Sequence, residues 1–185
     1  GLALCLQRLH VQGVVHADLK PEHVLLRKGP LGYETRLIDL DSGFLTDEPP
    51  RSGREMEGDP VYLSPEAFLR MTGQDVPIGP EADTFAFGAI FHRIWTGELP
   101  RIDTDRYAYL YEAALDGGDI TLSPELPLPY RAAILRMLRK DPADRPDDAE
   151  LVKLLTSGRP SEADERSVSD GEPLNGLSKF MKRNV

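Results

Sequence analysis

Apolar residues fall into separate blocks along this 185-residue chain, and the spacing inside each block predicts its element. Leu2, Leu6 and Leu9 recur at helical spacing and predict a helix over residues 1–12. Val14-Val15 follows as a short apolar pair leading into a polar loop. Val24-Leu25-Leu26 and Thr35-Arg36-Leu37-Ile38 are short apolar or β-favouring runs. The breaker-rich Lys28-Gly29-Pro30-Leu31-Gly32-Tyr33 lies between them, so a β-hairpin is expected. Residues 41–60 hold many Pro, Gly, Asp and Glu and read as a long loop, a kind of segment that tends to be functional or disordered.

The most apolar helix is expected over residues 82–96. Phe85, Phe87, Ile90, Phe91, Ile94 and Trp95 surround its axis instead of forming one stripe, as in a helix buried on most sides. A weaker amphipathic helix is expected over 105–115. Another is expected over 129–140, with Ile134, Met137 and Leu138 inward and Arg131, Arg136 and Arg139 outward. A last short helix starts near Asp147, where Asp147 as N-cap and Glu150 three residues on make an Asp variant of the capping box. From about Thr156 the periodicity dissolves into Ser, Asp, Glu, Gly and Pro. The chain is therefore divided into a domain over 1–155 and a tail over 156–185, disordered or weakly helical. Within the tail, Leu177, Phe180 and Met181 beside Lys179, Lys182 and Arg183 read as a frayed terminus, with a short docking helix as the alternative.

Composition narrows the function classes. Hydrophobic residues are 40% and charged residues 29%, a globular balance, and the net charge is −9. That balance argues against binding to nucleic acid or anionic membranes, which calls for clustered Lys and Arg. Cys5 is the single cysteine, which excludes an intrachain disulfide. Set among Leu2, Leu4 and Leu6, it is expected to be a buried structural thiol, and a cytoplasmic setting fits. No apolar run approaches the roughly 20 residues of a membrane span. The chain does not begin with Met, and Gly1 to Leu6 is too short and too poor in basic residues for a signal sequence. It reads as starting inside a helix of a longer protein.

Four segments carry chemistry. His16-Ala17-Asp18-Leu19-Lys20-Pro21-Glu22-His23 offers a carboxylate, Asp18, able to orient a hydroxyl and accept its proton. Lys20, two residues on, reaches the same side of an extended loop and can offset phosphoryl charge. Arg36-Leu37-Ile38-Asp39-Leu40-Asp41 runs an apolar strand directly into Asp39. The third segment is Gly58-Asp59-Pro60-Val61-Tyr62-Leu63-Ser64-Pro65-Glu66, and the fourth is Asp83-Thr84-Phe85-Ala86-Phe87-Gly88. Asp141-Pro142-Ala143-Asp144-Arg145-Pro146 follows near the end.

In this order and spacing these segments resemble the landmarks of the protein kinase family, of the eukaryotic-like Ser/Thr type, over residues 1–155. The first is similar to the catalytic loop H-x-D-L-K-P-E-N, the second to the D-F-G strand, and the third to the end of the activation segment at A-P-E. The resemblance implies a mainly α fold, a kinase C-terminal lobe with a short β-hairpin beside the catalytic loop. It implies ATP and Mg²⁺ as cofactors and a protein as substrate. Asp18 and Lys20 would be catalytic, Leu25 and Asp39 would face the nucleotide, and Asp39 would hold the metal. A second register, Asp41-Ser42-Gly43, would make Asp41 the ligand instead. His16, Asp59, Glu66, Asp83 and Arg145 would support the site: Glu66 pairing with Arg145, and Asp83 accepting hydrogen bonds from the backbone near His16.

Several positions depart from the family pattern. Ala17 stands where the family has Arg, which implies no control through a phosphorylated activation loop. His23 stands in place of the metal-binding Asn, and Mg²⁺ prefers oxygen donors. Leu40 would replace the Phe as an apolar plug. Asp59 replaces a Thr, and its carboxylate is expected to repel Asp18 unless protonated or bridged by a cation. The Gly-rich loop, the strand Lys and its Glu partner belong upstream of the catalytic loop, so the resemblance covers the C-terminal lobe with the N-terminal lobe as its missing partner. The chain alone is then expected to bind nucleotide poorly. Three other readings stay open: an impaired pseudokinase, a docking module, and a small-molecule kinase of the aminoglycoside or choline type.

Overall fold

The computed structural model describes residues 1–30, 32–52 and 56–157. Helix α1 (Leu2–Val11) leads through β1 (Val14–Val15) to a 3-10 turn at Pro21–His23. The hairpin β2 (Val24–Gly29) and β3 (Gly32–Leu37) follows, then β4 (Phe44–Leu45). Helices α2 (Pro65–Met71), α3 (Glu81–Thr96), α4 (Leu110–Asp116) and α5 (Leu128–Met137) build most of the body. A second 3-10 turn at Pro142–Asp144 precedes α6 (Asp148–Ser157). The result is mainly helical, with two small antiparallel sheets.

The hairpin pairs from Val24 opposite Leu37 to Gly29 opposite Gly32, as the breaker-rich connection predicts. The second sheet was not expected. Val14 pairs with Leu45 and Val15 with Phe44, so part of the 41–60 loop is tied back to the strand that leads into the Asp18 loop. No helix among the described residues is long and apolar enough to cross a membrane.

Helix α3 is the core axis. Phe85, Ala89 and Ile90 are fully buried, and Ala86 and Phe87 nearly so. Burial on all sides holds only as far as Ile90, because Trp95 near the C-terminal end is 37% exposed. Gly88 lets α3 approach α5: a Cβ there would lie 2.9 Å from Met137 Cβ, inside contact distance. Ile134 and Met137 of α5, Leu126 before it and Leu151 of α6 complete the buried centre. On α1 the buried stripe is Ala3, Leu6 and His10, with Leu2 and Leu9 half-buried. Cys5 is half-buried, not buried as expected, because its Sγ sits at the α1–β3 contact, 3.2 Å from the Thr35 carbonyl.

Helix α2 was not visible in the hydrophobic periodicity, yet a cap announces it. Ser64 Oγ accepts from Ala67 N at 3.3 Å and Pro65 takes the first helical position. Helix α4 starts only at Leu110, because Tyr109 is extended and the Glu112 carboxylate accepts from Tyr109 N at 3.1 Å. Helix α6 starts as expected: Asp147 Oδ1 accepts from Glu150 N at 2.8 Å. The Glu150 carboxylate is drawn to Arg136 of α5. The tail expectation falls on residues 158 onward, which lie outside the described residues.

Candidate active site

The loop carrying Asp18 is held from below by one carboxylate. Asp83, in the first turn of α3 and almost fully buried, accepts from His16 N at 2.7 Å and Ala17 N at 2.9 Å. Those bonds hold Ala17 at φ 64°, a left-handed conformation that costs a non-glycine residue on the order of 1–3 kcal/mol. His16 is fully buried. Its Nε2 donates to the Ile38 carbonyl at 3.1 Å, since a carbonyl can only accept. Its Nδ1 is buried without a hydrogen-bond partner among the described residues. The loop is thus tied to α3 on one side and to the strand before Asp39 on the other.

Above these anchors, Asp18 is gripped at both oxygens. Lys20 Nζ donates to Oδ2 at 2.8 Å and Asp59 N donates to Oδ1 at 2.9 Å. Burial alone would push the Asp18 carboxyl up. The Lys20 ammonium and the Asp59 N–H outweigh it and hold the group below the usual carboxylate range. The same contact with Asp18 holds the Lys20 ammonium above its ordinary value. Asp18 is therefore ionised at neutral pH, as an acceptor for a hydroxyl proton must be.

The expected repulsion from Asp59 does not occur. Its carboxylate turns away and accepts from Val61 N at 2.9 Å, which leaves the backbone N–H to face Asp18. An Asp two residues before a free N–H prefers this local turn.

His23 and Asp39 meet on the open side. The His23 ring stacks on His16, centroids 5.7 Å apart, and its Nδ1 donates to the Asp18 carbonyl at 2.8 Å. Its Nε2 lies 3.2 Å from Asp39 Oδ2. Asp39 has φ 62°. The turn that follows closes by Gly43 N donating to the Leu40 carbonyl at 2.9 Å. Asp41 sits exposed in that turn, so the carboxylate beside the catalytic loop is that of Asp39. Leu40 does not plug the interior: it is 44% exposed, because the chain turns outward after Asp39. Ile38 on the other side of Asp39 is 39% exposed, and Leu25 on β2 is 47% exposed.

Glu66 and Arg145, 79 residues apart, form a bidentate pair at 2.7 and 2.8 Å. Arg145 also donates to the carbonyls of Arg139, Glu81 and Lys140, and lies over the Phe85 ring at 5.1 Å. The pair joins α2, the start of α3 and the turn before α6. It does not touch Asp18; it fixes the segment that brings Asp59 to it. A cavity of about 1060 Å³ lies beside this pair. It is a groove along α2, α4 and α5, lined by Leu69, Ile78, Leu115, Ile120 and Leu138 among others. Asp18 itself borders a much smaller cavity, about 10 Å³, with Asp59, Tyr62 and Asp83.

Sequence reasoning missed His10. It is buried on α1 and bridges two carboxylates: Nε2 to Asp83 and Nδ1 to Asp148 of α6, both at 2.9 Å. A histidine on the apolar stripe of α1 was the available signal. Burial pulls its pKa down, but the hydrogen bonds to Asp148 and Asp83 outweigh this and raise it to about 9. The charged ring thus links α1, α3 and α6 through the same Asp83 that anchors the Asp18 loop. Because the folded pKa is raised, the stabilisation is fully present below the unfolded value near 6.5 and is lost as pH rises through about 9. The link is worth about 3 kcal/mol, since each tenfold gain in proton affinity on folding contributes about 1.4 kcal/mol. We expect the unfolding free energy from urea melts to fall between about pH 6.5 and 9.5 in the wild type and to stay nearly flat in His10→Gln. Equal slopes in the two proteins would remove the role.

The sequence is similar to that of known proteins. Residues 2–154 match the family model described as protein kinase domain. The chain is 30% identical over 167 residues to the serine/threonine-protein kinase pkn2 of Myxococcus xanthus, covering 84% of this chain and 19% of that protein. It is 33% identical over 144 residues to the probable serine/threonine-protein kinase MARK-A of Dictyostelium discoideum, covering 77% of this chain and 12% of that protein. It is 31% identical over 166 residues to the serine/threonine-protein kinase PAK 4 of Mus musculus, covering 82% of this chain and 25% of that protein. The chain thus spans a quarter or less of the length of these relatives.

Proposed function

Because this chain belongs to the protein kinase domain family, we propose that it is the C-terminal lobe of a protein Ser/Thr kinase, working with an N-terminal lobe that carries the rest of the ATP site. The observation that carries this reading is the Asp18 carboxylate, held ionised between Lys20 Nζ and Asp59 N–H on a loop anchored by Asp83. Three exposed apolar side chains around Asp39 and on β2 (Leu25, Ile38 and Leu40) support a second lobe covering that face.

In this reading Asp18 orients the substrate hydroxyl and takes its proton as the hydroxyl oxygen bonds to the γ-phosphorus and the bond to ADP breaks. Lys20, already beside Asp18, offsets charge on the transferring group. Asp39, half-exposed and oxygen-only, fits a Mg²⁺ ion on the nucleotide phosphates, which would neutralise their charge. His23 does not fit a second Mg²⁺, because that ion takes oxygen donors. His23 also carries the second reading, an impaired kinase that serves as a docking or regulatory module.

The test uses the full-length protein with radiolabelled ATP, a Ser/Thr-containing protein and a small alcohol acceptor. Transfer to Ser or Thr of the protein is expected. Nucleotide binding without any transfer would leave the docking reading, and transfer to the alcohol alone would leave the small-molecule reading.

A further inference from the structure

His23 departs from the family pattern, yet it is the best-prepared nitrogen donor in the site. Its Nδ1 faces the Asp18 carbonyl at 2.8 Å, and a carbonyl only accepts, so that nitrogen carries the proton. In the neutral ring Nε2 then keeps its lone pair. A backbone carbonyl on the far nitrogen is the usual partner that orients a metal-binding imidazole and raises its basicity. The ring is further fixed by stacking on His16. His23 and the strand before Asp39 share one frame, since Ile38 N donates to the His23 carbonyl at 3.0 Å and His16 Nε2 donates to the Ile38 carbonyl.

Nε2 looks at Asp39 Oδ2 across 3.2 Å. That is the distance of a direct ion pair, and two donors each about 2.2 Å from one octahedral ion at a right angle also stand about 3.1 Å apart, so a shared ion would need little movement of either group. Asp39 is half-exposed, which leaves room on the open side for phosphate oxygens and water. No group of three or more His, Cys, Asp or Glu side chains able to hold a metal occurs among the described residues. The remaining ligands would be phosphate oxygens of the nucleotide and water.

Building on the kinase reading above, we propose that His23 Nε2 and Asp39 Oδ2 form a mixed nitrogen–oxygen chelate that, with the nucleotide phosphates, selects Mn²⁺ or a similar transition-metal ion over Mg²⁺. Imidazole nitrogen binds first-row transition ions well and Mg²⁺ poorly, whereas the carboxylate oxygen serves both. An Asn oxygen at position 23 would remove that bias.

The experiment titrates Mn²⁺, with Mg²⁺ as competitor, into the full-length protein bound to a non-hydrolysable ATP analogue, followed by electron paramagnetic resonance. The wild type should prefer Mn²⁺ over Mg²⁺ more strongly than the free nucleotide does. Its Mn²⁺ spin echo should show modulation from a directly bound imidazole nitrogen. In His23→Asn the modulation should vanish and the preference should fall roughly tenfold. Absence of nitrogen modulation in the wild type overturns the chelate, whatever the folding of the variant. Asp39→Asn separates this failure from failure of the underlying site. If it leaves both ions bound as in the wild type, the nucleotide-cation role of Asp39 falls too. If it weakens both ions while the wild type shows no nitrogen, only the chelate falls.

Discussion

Arg145→Ala is expected to lower the unfolding free energy of the full-length protein's kinase domain by about 3–5 kcal/mol. The guanidinium is wholly buried and donates to five acceptors: both Glu66 oxygens and the carbonyls of Arg139, Lys140 and Glu81. Truncation leaves the Glu66 carboxylate in the interior without its counter-charge and strips three carbonyls of a donor. Losing one partner of a buried pair costs far more than an exposed pair is worth, about 0–1 kcal/mol. Against a typical total of about 5–15 kcal/mol this is a large fraction. A fall in melting temperature of roughly 6–20 °C would accompany it at about 2–4 °C per kcal/mol. Arg145→Lys should recover only part of the loss, because one ammonium cannot reproduce the two-pronged contact with Glu66. A loss under about 1 kcal/mol in urea melts of Arg145→Ala would mean that water reaches the pair.

The second large effect concerns chemistry. Asp18→Asn in the full-length protein is expected to lower kcat for phosphotransfer by about 10²–10⁴, with little change in KM for ATP. An amide oxygen can still accept from Asp59 N–H, so the loop should keep its shape and the melting temperature should move little. What is lost is the negative charge that holds Lys20 at 2.8 Å and that, in the proposed mechanism, accepts the hydroxyl proton. A merely structural Asp18 would show the opposite pattern, a lower melting temperature with kcat preserved. The split between kcat and melting temperature therefore separates the two roles.

The candidate groups were legible because they sit on contiguous segments. Asp18 and Lys20 are two residues apart on one loop, and Asp39 ends an apolar strand; neither statement needs a partner elsewhere in the chain. The hairpin, α1, α3, α5 and the Asp147 cap were readable for the same reason. Helix α2 was readable in principle from Ser64 and Pro65, but seven residues give too little periodicity to see. Several expectations that failed concerned side-chain placement, which depends on neighbours distant in sequence. Asp59 turns its carboxylate to Val61, Leu40 lies at the surface and Cys5 is only half-buried.

The sequence by itself determined the family, the hairpin and most of the helices, and the groups available for chemistry, because these depend on residue type and local spacing. Tertiary structure alone decided which groups share a charge or a proton. Only the fold brings His10 between Asp83 and Asp148, 73 and 138 residues away, and makes that ring a cation. Only the fold sets His23 Nε2 against Asp39 while the Asp18 carbonyl holds the other nitrogen. Protonation and ligand choice follow from desolvation and from partners a few ångströms away in space, and no local pattern records those partners.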